Sequence, residues 1–112
     1  MVTLEHFTEQ EVEGLTDRLK IYLQALRYIS NTPIYITSGL RQEDTTSEHS
    51  TGQGVDISDN PNGDPISSGW RHKISKALHG LQIARIGIYD RHIHFGVSRS
   101  HPQDVSWIGQ SR

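Results

Sequence analysis

The chain has no cysteine among its 112 residues. That absence excludes disulfides, iron–sulfur clusters, thiolate zinc fingers and thiol nucleophiles. Long apolar runs are missing too, so no segment reads as membrane-spanning and no membrane partner is expected. Neither sign of charge dominates: 11 basic residues face 13 acidic ones, for a formal net charge of −2. With no basic block and no basic stripe interleaved with aromatics, nucleic acid is not an expected partner. The first fourteen residues are acidic and carry no apolar stretch of the signal-peptide kind. The expectation is a protein made in the cytoplasm without a secretory signal. No internal repeat or low-complexity segment is visible.

What remains is enough for one domain over residues 1–112. Leu, Ile, Val and Phe make up 27 of the 112 residues, above the roughly 20% level below which chains tend to be disordered. The core should be thin but sufficient. The unusual abundance is histidine, with seven: His6, His49, His72, His79, His92, His94 and His101. A cysteine-free chain with that composition can still hold a metal through nitrogen and oxygen ligands.

Thr8-Glu9-Gln10-Glu11 has the form of a capping box. Val12, Leu15, Leu19, Leu23 and Leu26 follow at helical spacing, which predicts a helix over about 9–29, stopped by Asn31-Thr32-Pro33. Ile34–Thr37 and Gly54–Ser58 alternate as strands, on either side of a polar loop over 39–53. Dense turn chemistry at 59–65 leads to a second helix over 66–79, with Trp70, Ile74, Ala77 and Leu78 on one stripe and Gly80 at its end. Gln82–Tyr89 and His92–Val97 read as a hairpin around Asp90-Arg91. Ile88 then faces Ile93 and Ile86 faces Phe95 on the core side. Tyr89, His92, Gly87 and His94 share the other side. The polar tail from Ser98 carries Val105, Trp107 and Ile108 as a docking patch. The order helix, strand, loop, strand, helix, hairpin, with no series of parallel crossovers, predicts an α+β fold, a small mainly antiparallel sheet packed with two helices.

Two segments place ligand-type residues on the polar side of strands whose other side is apolar. One is Ser47-Glu48-His49-Ser50-Thr51-Gly52-Gln53-Gly54-Val55-Asp56; the other is His92-Ile93-His94-Phe95. Strand alternation asks only for polarity there, not for histidine. Catalytic zinc takes three nitrogen or oxygen ligands and keeps one position open. His49, Asp56 and one histidine of the His-x-His pair supply that number. Isolated histidines are ordinarily surface residues, and His6, His72, His79 and His101 are read that way.

Ser-x-His-x-x-Gly-x-x-x-Asp followed by His-x-His resembles the zinc D-alanyl-D-alanine carboxypeptidase family. Its relatives include L-alanyl-D-glutamate endolysins and the hedgehog signalling domain, which shares the fold. Thr37-Ser38-Gly39-Leu40-Arg41 is similar to the family's Ser-Gly-Tyr-Arg segment, and the likeness covers roughly residues 34–97. The resemblance implies a hedgehog/DD-peptidase-like fold with Zn2+ bound by His49, Asp56 and His94. It implies that His92 stands beside the metal as oxyanion donor or proton carrier. Arg41 would bind a substrate carboxylate or order the site, Ser47 would support the His49 loop, and Gly52 would provide the turn between ligands. Two positions depart from the pattern. Gly54 stands where an Ala is common, and no Glu follows Glu48, whereas many members carry a Glu base just before the last histidine. Asp90, four residues before His94, is the carboxylate candidate for that base, with His92 the alternative. The activity implied is hydrolysis of peptidoglycan stem or crosslink peptides, by a monomer acting on the cell wall. The rival expectation is a zinc-binding, non-hydrolytic interaction domain of the hedgehog kind.

Overall fold

The computed structural model describes residues 6–40 and 47–109. Helix α1 spans Asp17–Ser30 and strand β1 spans Tyr35–Ser38. A 3₁₀ turn at Glu48–Thr51 leads into β2, Gly54–Ser58; α2 covers Ser68–Gly80. Strands β3 (Arg85–Ile88), β4 (Ile93–Gly96) and β5 (Val105–Ile108) follow. The expected α+β class with two helices is observed. The five-stranded sheet has the order β1-β2-β4-β3-β5. Three of its pairings are antiparallel, but β5 runs parallel to β3, so the sheet is mixed. No helix among the described residues is long and apolar enough to cross a membrane.

The helix expected over 9–29 begins only at Asp17. The Thr8–Glu11 capping box does form: Thr8 N–H donates to Glu11 Oε1 at 2.9 Å, and Glu11 N–H donates to Thr8 Oγ1 at 3.2 Å. It closes a turn rather than opening a helix, because Gly14 adopts φ +79°. The true N-cap is Thr16, which is extended and whose Oγ1 accepts from Leu19 N–H. Val12 and Leu15 are buried all the same. They pack on the core from outside the helix, so their spacing continues the helical pattern without belonging to it. At the other end Asn31 takes the left-handed conformation and stops α1, as its sequence suggested.

Leu19, Leu23 and Leu26 of α1 and Trp70, Ile74, Ala77 and Leu78 of α2 meet one face of the sheet, which contributes Val55, Ile57, Ile86, Ile93 and Phe95. Each fully buried side chain of this kind is worth roughly 1.5–3 kcal/mol. The β3–β4 register is the expected one, Ile88 opposite Ile93 and Ile86 opposite Phe95. Tyr89 N–H donates to the His92 carbonyl at 3.0 Å, closing the two-residue loop Asp90-Arg91. Neither loop residue has positive φ, so this is not a type I′ or II′ turn. Tertiary contacts hold it instead: Ile66 N–H donates to Asp90 O, and the Arg91 guanidinium donates to Gly63 O. The tail patch is a strand: β5 completes the sheet edge with Ile108 89% exposed.

Candidate metal centre

The face of the sheet away from the helices holds the polar residues. Strand pairing sets Asp56 beside His94, His94 beside Gly87, and Gly87 beside Trp107, one row across four strands. The adjacent row is Gly54, Gly96 and Arg85. His49 arrives from the 3₁₀ turn, whose C-cap Gly52 has φ +71° and donates its N–H to Glu48 and His49 carbonyls. A Cβ on Gly52 would lie 2.1 Å from the Gly14 carbonyl oxygen. Only glycine therefore lets the turn reverse this close to the start of α1, as expected for the residue between the ligands.

His49, Asp56 and His94 are all buried, and one ligand atom from each lies within 4.8 Å of the others. His49 Nε2 is 3.2 Å from Asp56 Oδ1, and His94 Nδ1 is 3.0 Å from the same oxygen. The far side of each ring is fixed. His49 Nδ1 lies 2.8 Å from the Gly39 carbonyl oxygen, and His94 Nε2 lies 2.9 Å from Glu48 Oε1. A carbonyl only accepts, so His49 carries its proton on Nδ1 and turns the Nε2 lone pair toward Asp56. An ionised Glu48 likewise holds a proton on His94 Nε2, which leaves Nδ1 as the inward nitrogen. Two imidazole nitrogens and a carboxylate oxygen thus converge. Without a shared cation, they must take up extra protons to avoid facing one another as acceptors. The donor set and the fixed outer nitrogens fit a metal ion.

The ionisation states follow from the same contacts. Burial alone would raise the Asp56 pKa, but hydrogen bonds and charge from His49 and His94 outweigh it and hold the carboxyl well below its usual range. Burial would also raise Glu48; hydrogen bonds from His94, Arg85 and Ser98 N–H bring it below the ordinary value instead. For His94 burial acts downward, and bonds to Asp56 and Glu48 reverse it, so its pKa is raised. His92 is lowered, chiefly by burial, with Asp56 pulling the other way.

Glu48 was given no role from the sequence, where it stands within the polar loop over 39–53. It is 2% exposed. Its carboxylate accepts from His94 Nε2–H and Ser98 N–H, and Arg85 Nε lies 2.8 Å from Oε1. Space for it comes from two glycines: a Cβ on Gly96 would fall 1.9 Å from Glu48 Oε2, and one on Gly54 would fall 2.6 Å from Glu48 Cβ. The available sequence signal was the glycine two residues from each strand ligand. Gly87 similarly makes room for Trp107, whose ring lies 5.6 Å from that of His94.

His92 is brought to the cluster, its Nε2 3.8 Å from Asp56 Oδ2, and its ring stacks on Tyr89 at 4.3 Å. Tyr89 Oη accepts from Trp107 Nε1–H at 2.9 Å. Ser47 caps the 3₁₀ turn at its start, and its carbonyl accepts from Ser50 N–H and Oγ. It therefore supports the His49 loop through its backbone. Asp90 sits in the β3–β4 turn, 53% exposed, with Arg91 Nε 3.7 Å from its carboxylate, and is not one of the three converging ligands. Arg41 lies outside the described residues. His6, His72 and His79 are exposed, and His101 bonds the buried Ser98 hydroxyl.

No protein-family model, curated protein or solved structure matches the chain.

Proposed function

We propose that the protein is a zinc-dependent peptidase that hydrolyses peptidoglycan stem or crosslink peptides, within a hedgehog/DD-peptidase-like fold. The observation behind this reading is the convergence of His49 Nε2, His94 Nδ1 and an Asp56 oxygen with their outer nitrogens already tied down. Two nitrogens and one oxygen suit zinc with a position left for chemistry. When bound, zinc would supply Lewis-acid polarisation of the scissile carbonyl and lower the pKa of the attacking water.

The remaining work falls to the chain. His92 stands beside Asp56 with a lowered pKa, so its ring is neutral near pH 7 and able to accept a proton. We assign it the proton taken from water and returned to the leaving amine. Asp90, turned toward Arg91 in an exposed loop, is placed second. Arg41 is assigned the stem-peptide carboxylate, which an always-charged, fork-shaped guanidinium suits. Ser47 keeps the turn that carries His49. The protein would act as a monomer on the cell wall.

The test uses protein purified without a histidine tag. Wild-type protein should carry about one zinc per chain and release amines from stem peptides; His94→Ala should lose both. A metal-free wild-type protein that zinc does not stabilise would refute the reading. A second reading, a zinc-bearing domain without hydrolysis, draws on how little of the cluster is open: the Asp56 and His94 side chains are 11% and 10% exposed. Full zinc occupancy with no turnover on any stem peptide would select it.

A further inference from the structure

Among the described residues, the ligand trio and His92 leave one buried carboxylate without a role in the proposed chemistry. Glu48 is 2% exposed, on the far side of His94 from Asp56. A fold keeps a carboxylate there only if its partners outweigh the cost of desolvation. It has three, and they come from separate elements: His94 of β4, Arg85 of β3 and the Ser98 backbone beyond β4. Arg85 is itself anchored, donating to the Pro102 carbonyl at 2.7 Å and lying over the Trp107 ring at 5.4 Å. Gly54 and Gly96 vacate the space, and a side chain at either would displace Glu48. Solubility or helix capping would need none of these features. All of them serve to hold one carboxylate oxygen 2.9 Å from one ring nitrogen.

That oxygen decides which face of His94 is available. Neutral imidazole carries its proton on either nitrogen, and free histidine favours neither strongly enough to preorganise a site. With an ionised acceptor at Nε2, the proton stays there and the Nδ1 lone pair is directed at the centre. The anionic partner also makes the ring a stronger donor to a cation. We propose that Glu48 is the positioning residue of the metal centre: it sets the tautomer and orientation of His94, with Arg85 as the clamp that fixes Glu48. The proposal rests on the metal reading above.

The test is zinc affinity, measured by competition with a chromophoric chelator, together with the visible absorption of the cobalt-substituted protein. Glu48→Gln retains shape and a neutral acceptor but loses the charge. Its zinc affinity should fall about 10–100-fold, the usual effect of removing an outer carboxylate, and its cobalt spectrum should shift. Arg85→Gln leaves the carboxylate on His94, so its affinity should fall much less, even where its metal-free melting temperature drops as far. A merely structural role for Glu48 predicts affinity losses that track the melting temperatures of the two variants, and that result overturns the proposal. So does a Glu48→Gln protein within twofold of wild type while wild type binds one zinc, a result that leaves the metal reading intact. If Glu48→Gln does not fold, Glu48→Asp carries the test, because it keeps the charge but is one methylene too short for the 2.9 Å contact. Wild-type protein that binds no zinc refutes both the metal reading and the proposal.

Discussion

Phe95 and Gly96 are neighbours in β4 and point to opposite faces of the same sheet. Phe95 is fully buried among Leu, Ile and Val side chains beneath the helices. Gly96 is buried too, but against the Glu48 carboxylate. The helix face follows a rule that many sequences satisfy: apolar at every second position, volumes roughly matched. The other face depends on named atoms. Glycines at 54, 87 and 96 remove side chains so that Glu48 and Trp107 can reach His94. One face is built by filling space and the other by vacating it.

The largest effect should come from breaking the filled face. Phe95→Ala should cost about 3–5 kcal/mol of stability, measured by urea denaturation of the metal-free protein. The zinc affinity of the molecules that remain folded should not change. Gly96→Ala should cost less, about 1–3 kcal/mol from overpacking. It should nevertheless weaken zinc binding strongly, because the added methyl displaces the carboxylate behind His94. Loss of zinc affinity from Phe95→Ala, or none from Gly96→Ala, would erase the distinction between the faces.

A third prediction concerns pH. In metal-free protein the raised pKa of His94 contributes stability that is present below its ordinary value of 6.5 and lost as pH rises through the folded value. The lowered Asp56 and Glu48 contribute stability present above their ordinary values of 3.8 and 4.5, lost as pH falls through the folded ones. Melting temperatures should therefore peak in mildly acidic to neutral solution and decline on both sides. Excess zinc should remove the alkaline decline, since the metal replaces the proton on His94 Nδ1. The smallest effect separates the two threonine caps. Thr16→Ala should cost about 1 kcal/mol, and Thr8→Ala, in an exposed turn, should cost under about 0.5 kcal/mol.

The parts legible in the sequence were those governed by local alternation. Val55, Ile57, Ile86, Ile93 and Phe95 announced the filled face, and with them the hairpin register and the polar positions of Asp56 and His94. The start of α1 was not legible, because Val12 and Leu15 keep helical spacing while packing from a turn that Gly14 reverses. β5 was read as a docking patch, since its parallel partner β3 lies some twenty residues earlier and a four-residue strand carries little pattern. Glu48 was missed for a related reason. Its burial depends on Gly54, Arg85 and Gly96 meeting across three strands, and no window around residue 48 contains that information.

The order of strands carries a further consequence. His49 and Asp56 are 7 residues apart, but Asp56 and His94 are 38 apart, across the seam where β2 docks against β4. The β3–β4 hairpin closes through a two-residue loop, whereas the β2–β4 seam brings together strands separated by α2 and β3 and must overcome a larger closure entropy. A cation held by these three residues would bridge that long-range seam as a crosslink. In a chain without cysteine, it would tie residues 49 and 56 to residue 94 much as a disulfide does elsewhere, through a bond that a chelator can undo.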